Sequence, residues 1–175
     1  GTNNTVTYSL TDNAGGRFTI NANTGVVTVV DGSLLDYETA TSYTITVQAG
    51  SSDGSIATQT FTIVVSNVNE APTIVAPVDF DVEFAENSTA VILDLEVEDP
   101  EENAINFVLA GADADLFTIS DGAIVFNQSP DFEVPRDQGE SNVYEFTVEV
   151  SDATNPPETQ AITITVTNVN EAPIG

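Results

Sequence analysis

Asn67-Val68-Asn69-Glu70-Ala71-Pro72 recurs verbatim as Asn168-Val169-Asn170-Glu171-Ala172-Pro173, 101 residues further along the chain. A hexapeptide repeated at so long an offset marks an internal structural repeat. Three further matches follow in the same order. Asp36-Tyr37-Glu38 returns as Asp131-Phe132-Glu133, Val6-Thr7-Tyr8-Ser9-Leu10 as Ile105-Asn106-Phe107-Val108-Leu109, and Phe18-Thr19-Ile20 as Phe117-Thr118-Ile119. The offset drifts because the second copy carries extra residues, Pro135-Arg136-Asp137-Gln138-Gly139-Glu140, which read as a loop insertion.

Between these markers the pattern is strand. Tyr43, Ile45 and Val47 alternate with threonines, as do Phe61, Ile63 and Val65 with Thr62 and Val64 between them. Ile162, Ile164 and Val166 alternate with Thr163, Thr165 and Thr167, and Val91, Leu93, Leu95 and Val97 with Asp94, Glu96 and Glu98. Period two with β-branched residues describes half-buried antiparallel strands. Asn23-Thr24-Gly25, Asp53-Gly54 and Asp121-Gly122 supply turns. The second copy is predicted to hold seven strands, near 80–85, 90–98, 104–109, 115–119, 123–126, 143–151 and 159–167, the count of a β-sandwich. The first copy starts at the third of these. The chain is therefore read as all-β, two tandem seven-stranded Greek-key sandwiches. Residues 1–71 form a domain lacking its opening two strands, and residues 72–175 form a complete one that ends in the next linker. The first is either a truncated piece or a domain split by an insertion, and as it stands it exposes sheet edges.

Composition narrows the chemistry. The chain carries 28 acidic residues against two basic ones, Arg17 and Arg136, and a net charge of −26. Such a charge repels nucleic acid and anionic membrane surfaces. With 41% apolar residues the chain still supports a core. It has no Cys and no His, which removes disulfides, thiolate and imidazole metal sites, and the common nucleophile–base pairs. Oxygen ligands remain, and oxygen ligands mean calcium or magnesium. No apolar run is long enough to insert into a membrane.

With these motifs in place, the chain resembles the cadherin family, in particular the cadherin-like repeats of large bacterial surface adhesins. The likeness covers nearly the whole chain. Asn67–Pro72 resembles the inter-repeat linker, Asp36-Tyr37-Glu38 and Asp131-Phe132-Glu133 the Asp-Arg-Glu motif, and Ala85-Glu86-Asn87 the motif at the first strand's end. Asp99-Pro100-Glu101 with Asn103 resembles Asp-x-Asp, and Val150-Ser151-Asp152 the Ala-x-Asp motif. The resemblance implies that Asp36, Glu38, Asn67, Asn69, Glu70, Asp99, Glu101, Asn103 and Asp152 bind calcium where the repeats join. It implies a second half-site from Glu86, Asp131, Glu133, Asn168, Asn170 and Glu171. Asn67 stands where the family has a carboxylate and Glu70 where it has Asp, so this junction lacks one usual carboxylate. Asp99 to Asn103 is no EF-hand loop, because the sixth position lacks Gly and the twelfth is Ala110.

The function expected is mechanical: calcium-stiffened repeats, extracellular or on a cell surface, that hold a ligand-binding domain away from a cell. Neighbouring repeats of the same protein are the expected partners, with a strand-donating segment completing residues 1–71. The rival is a calcium-dependent carbohydrate- or protein-binding module. Sugar platforms favour stacking aromatics, and the chain has no Trp. An enzyme is not expected, since the acidic pairs fall in duplicated linker motifs.

Overall fold

The computed structural model describes residues 5–152 and 154–172. It divides into two compact units, Gly1–Val68 and Asn69–Gly175.

The first unit contains β1 (Val6–Asp12), β2 (Phe18–Ile20), β3 (Val27–Val29), β4 (Ser42–Ser51) and β5 (Ile56–Val64). β4 pairs antiparallel with β1 and β5, and β2 pairs with β3. The β4–β5 hairpin turns at Asp53-Gly54, where Asp53 Oδ1 accepts the Ser55 N–H at 3.0 Å and Gly54 takes φ +89°. That φ favours glycine, which has no Cβ to clash. Among the described residues of this unit, only Phe18 and Ile45 are buried hydrophobics. Phe18 meets Tyr43 edge to face at 6.3 Å, and the Arg17 guanidinium lies 4.8 Å from the Tyr43 ring centre. β5 is exposed along almost its entire length.

The second unit runs β6 (Thr73–Ala76), β7 (Asp81–Ala85), β8 (Leu93–Asp94), β9 (Glu96–Glu98), β10 (Asn106–Ala110), β11 (Phe117–Ser120), β12 (Ala123–Phe126), β13 (Val143–Ser151) and β14 (Glu158–Thr167). One sheet has the order β10-β13-β14-β7, with β7 parallel to β14; the other has β11-β12-β8, and β6 pairs with β9. The inward faces of β13 (Tyr144, Phe146, Val148, Val150) and β14 (Ile162, Ile164, Val166) are buried, together with Phe84, Leu93, Leu95, Phe117 and Ile124. Phe117 stacks on Phe146 and lies tilted against Phe126, each with ring centres 4.4 Å apart, and Tyr144 stands edge-on to both Phe117 and Phe126.

β1 to β5 reproduce β10 to β14 strand for strand, with the same pairings. What the second unit has in addition is β6 to β9. β7 covers the free edge of β14 and β8 covers that of β12. Among the described residues, neither β5 nor β3 has such a cover. The period-two reading located the seven predicted strands of the second copy, with two differences. The segment predicted as one strand over 90–98 is two strands in different sheets, β8 and β9. The break falls at Leu95, whose N–H donates to the Gly122 carbonyl at 3.0 Å. A Cβ on Gly122 would stand 2.5 Å from the Leu95 oxygen, so only glycine lets the β11–β12 turn approach this closely. The second difference is β6, too short at four residues to show a period.

The inserted loop is built around two carboxylates. Asp137, 3% exposed, accepts N–H groups of Gly139, Ser141 and Asn142. Asp113, 4% exposed, accepts those of Gln138 and Glu145, each at 2.8 Å. Both basic residues also serve loops. Arg17 donates to the carbonyls of Leu34 and Ala14, and Arg136 to the carbonyl and side-chain oxygen of Gln128.

Candidate metal centres

In the first unit, Asp36 closes a turn on itself: Oδ1 accepts the N–H of Glu38 at 3.0 Å and of Thr39 at 3.3 Å, while Oδ2 accepts the Thr39 hydroxyl at 2.6 Å. An Asp bonding the backbone two residues on is an Asx turn, and it leaves the Glu38 carboxylate exposed at the loop surface. Asn67 is exposed in the same unit. These N–H and O–H donors hold the Asp36 carboxyl below its ordinary value, the Thr39 hydroxyl first among them.

In the second unit, Asn69, Glu70, Asp99, Glu101, Asn103 and Asp152 come together. The loop after β9 wraps Asp99, whose Oδ1 accepts the N–H of both Glu101 and Asn103 at 3.0 Å. Glu101 Oε2 accepts the Glu70 N–H at 3.1 Å, joining that loop to the linker. Asn103 donates through Nδ2 to Asn69 Oδ1 at 2.6 Å, and Asn69 Nδ2 donates in turn to Asp152. Asp152 Oδ1 accepts the N–H of Thr154 and of Asn155, both at 2.8 Å. Those backbone donors, Asn155 first, hold the Asp152 carboxyl far below the usual carboxylate range. Asp99 Oδ2 and Glu101 Oε1 are buried without a hydrogen-bond partner.

The other group is also within this unit. One carboxylate oxygen each from Glu86, Asp131 and Glu133 lies within 4.8 Å of the others. Glu86 is 3% exposed and both its oxygens are engaged, Oε1 by the Val169 N–H at 2.7 Å and Oε2 by the Phe132 N–H at 2.8 Å. These bonds, Phe132's the larger, hold its carboxyl low. Asn168 donates to Glu133 at 2.6 Å, and Asn87 to Glu171 at 2.7 Å. Asn170 is exposed beside them. Asp131, like Asp36, accepts the N–H three residues on, that of Val134 at 3.0 Å.

The donors are all oxygens, the set that calcium takes in numbers of six to eight. A buried carboxylate oxygen without a donor is costly, and Asp99 Oδ2 and Glu101 Oε1 are two such atoms beside Glu70, Asn69 and Asn103. The residues present therefore fit a divalent cation. Sequence reasoning missed Asn155, because its role depends on a turn that brings it back onto Asp152; the one available signal was an Asn three residues after an Asp.

The depressed carboxyls carry a pH consequence. A folded-state pKa below the unfolded one stabilises the fold above the unfolded value, about 4, and that stability is lost as pH falls through the folded value. In chelator, the melting temperature of the second unit is expected to fall steadily below about pH 4. Asp152→Asn should make that fall shallower in thermal melts from pH 2 to 7. A variant profile parallel to the parent's would show that Asp152 does not contribute.

Fold and site together define an all-β sandwich with clustered oxygen donors in the loops at its strand ends. Residues 1–68 match the family model described as Cadherin domain. The Homo sapiens protein Cadherin EGF LAG seven-pass G-type receptor 2 is 32% identical over an alignment of 183 positions, covering 98% of this chain and 6% of that protein. Gallus gallus Cadherin-4 is also 32% identical, over 89% of this chain and 19% of its own length. The chain thus spans less than a fifth of these relatives. The crystal structure of human Protocadherin-24 EC1-2 Form II superposes with a TM-score of 0.67 over 93% of this chain and 82% of that one, at 19% identity. This is a likeness of fold. Cadherin domains are extracellular, non-enzymatic modules, so the expectation that this chain is not an enzyme stands. No helix among the described residues is long and apolar enough to cross a membrane.

Proposed function

We propose that residues 1–175 are calcium-rigidified extender repeats of an extracellular adhesin, with an incomplete repeat at 1–71 and a complete one at 72–175. Asp36, Glu38 and Asn67 join Asn69, Glu70, Asp99, Glu101, Asn103 and Asp152 in binding calcium at the junction. Glu86, Asp131, Glu133, Asn168, Asn170 and Glu171 serve the junction with a following repeat. The observation that carries this reading is the pair of buried oxygens, Asp99 Oδ2 and Glu101 Oε1, with no donor of their own in an all-oxygen group. Two loops and a linker that share divalent ions lose their mutual repulsion and their freedom together. The setting proposed is a bacterial cell surface, on the linker's form and a net charge of −26 that salt and divalent ions offset. Immunolabelling of intact cells tests that setting.

Strand donation belongs to the same proposal. β14 is covered by β7 running parallel to it, while β5, its counterpart, is exposed. A strand with the alternation of Asp81–Ala85, seated parallel along β5, would complete the first repeat.

Small-angle scattering with calcium and with chelator tests the stiffening. The expected result is an extended particle of fixed dimensions in calcium, and a larger spread of dimensions in chelator. Superimposable profiles would overturn the proposal.

A further inference from the structure

We infer that Asn155 is a positioning residue for the cation group of the second unit: it holds Asp152 and the linker backbone at Asn69 in one fixed geometry. This rests on the calcium reading above. Asn155 ligates nothing itself; it acts through the two groups it ties together.

The argument starts from donor count. An Asn amide offers two N–H hydrogens on Nδ2 and only an acceptor on Oδ1. Asn155 Nδ2 lies 3.0 Å from Asp152 Oδ2 and 3.2 Å from the Asn69 carbonyl oxygen. Both neighbours are acceptors, so chemistry dictates which end of the amide faces them. Each hydrogen has its own partner. The Asn155 backbone N–H makes a third bond, to Asp152 Oδ1 at 2.8 Å. One residue therefore grips both oxygens of Asp152 and the linker at once.

Asn155 is half-buried and Asp152 is 8% exposed, so solvent competes weakly for these bonds. Asp152 lies three residues upstream of Asn155 and 83 residues from Asn69 in sequence. No local turn could fix the distance between the loop and the linker; a side chain bonded to both does. A carboxylate held in place before the ion arrives spares the ordering cost that binding would otherwise carry. Partners of this kind, standing behind metal ligands, typically change metal affinity 10- to 100-fold when removed.

The test uses the whole chain, residues 1–175, with calcium chloride as the probe. Isothermal calorimetry gives the half-saturation concentration, and thermal melting in chelator gives the ion-free stability. Asn155→Ala removes the side-chain bonds and keeps the backbone one. It is expected to raise the calcium half-saturation about tenfold, with the chelator melting temperature within about 2 °C of the parent's. Asn155→Asp keeps the shape and loses both donors, so it is expected to bind calcium no more tightly than Asn155→Ala. Equal affinity in parent and Asn155→Ala, with a lower melting temperature in chelator, would show a purely structural role and overturn the inference. Tighter binding by Asn155→Asp would make position 155 a ligand position and overturn it too. Absence of calcium binding by the parent chain would instead fail the function proposed above, and this inference with it.

Discussion

Calcium is expected to raise the melting temperature of the chelated protein by about 10–20 °C. Extracellular calcium modules bind at roughly 10⁻⁴–10⁻³ M. An ion present at about 100 times its dissociation constant stabilises the folded state by about 2.7 kcal/mol per independent site. For a unit the size of Asn69–Gly175, each kcal/mol shifts the midpoint by about 4–8 °C. That shift is the effect of one ion bound at the Asp99/Glu101 group, whose two buried oxygens have no donor; an ion at the Glu86/Asp131/Glu133 group would add to it. Magnesium should do much less, because it demands a compact octahedron at short distances, and the loop and linker oxygens are irregularly placed. Glu101→Gln should remove a large part of the calcium effect while hardly changing the melt in chelator. Differential scanning calorimetry in calcium, magnesium and sodium at matched ionic strength decides it. An equal rise with all three would mean that general screening of a −26 chain is the whole effect.

The second large effect compares equivalent positions in the two units. Ile164 and Ile63 are 101 residues apart and occupy matching places on β14 and β5, as do Ile162 and Phe61. Ile162 and Ile164 are fully buried, at 1% and 0% exposure, while Phe61 is half exposed. Truncating a buried Ile to Ala costs about 2–5 kcal/mol, from lost transfer energy and the cavity left behind. Ile164→Ala and Ile162→Ala are each expected to destabilise the second unit by about 3 kcal/mol. Ile63→Ala and Phe61→Ala should each cost about 1 kcal/mol or less, because water already reaches these side chains and no sealed cavity forms. Urea unfolding of the four variants reads the difference. If residues 72–103 are supplied as a separate peptide and seat along β5, the cost of Ile63→Ala should climb towards that of Ile164→Ala. Equal costs in the two units without any peptide would contradict an open first repeat.

The fold class and the repeat could be read from the sequence because both rest on short-range regularities. Period-two alternation is imposed by strand geometry, so Tyr43 to Val47 and Ile162 to Val166 announced the two ten-residue strands, β4 and β14, unaided. The turn signals announced themselves in the same way, since Gly54 and Gly122 sit at φ values that side chains resist. Duplication of Asp36-Tyr37-Glu38 as Asp131-Phe132-Glu133 marked corresponding loops, and in both the Asp side chain accepts a backbone N–H from three residues on.

What only the tertiary structure decided depends on groups distant in sequence. Alternation over 90–98 carries no sign that the chain changes sheets at Leu95, because the cause is the close approach of Gly122, 27 residues later. Composition likewise makes all 28 carboxylates look alike. Burial and donor supply separate them: Asp113 and Asp137 are consumed by loop N–H groups, Glu86 is gripped at both oxygens, and Asp99 and Glu101 each keep one buried oxygen without a donor. Asn155 joined them only when folding brought its amide to Asn69, 86 residues away. Local sequence dictates strand and turn because backbone sterics act between neighbours. How many donors reach each carboxylate oxygen is settled by long-range packing, which no local pattern records.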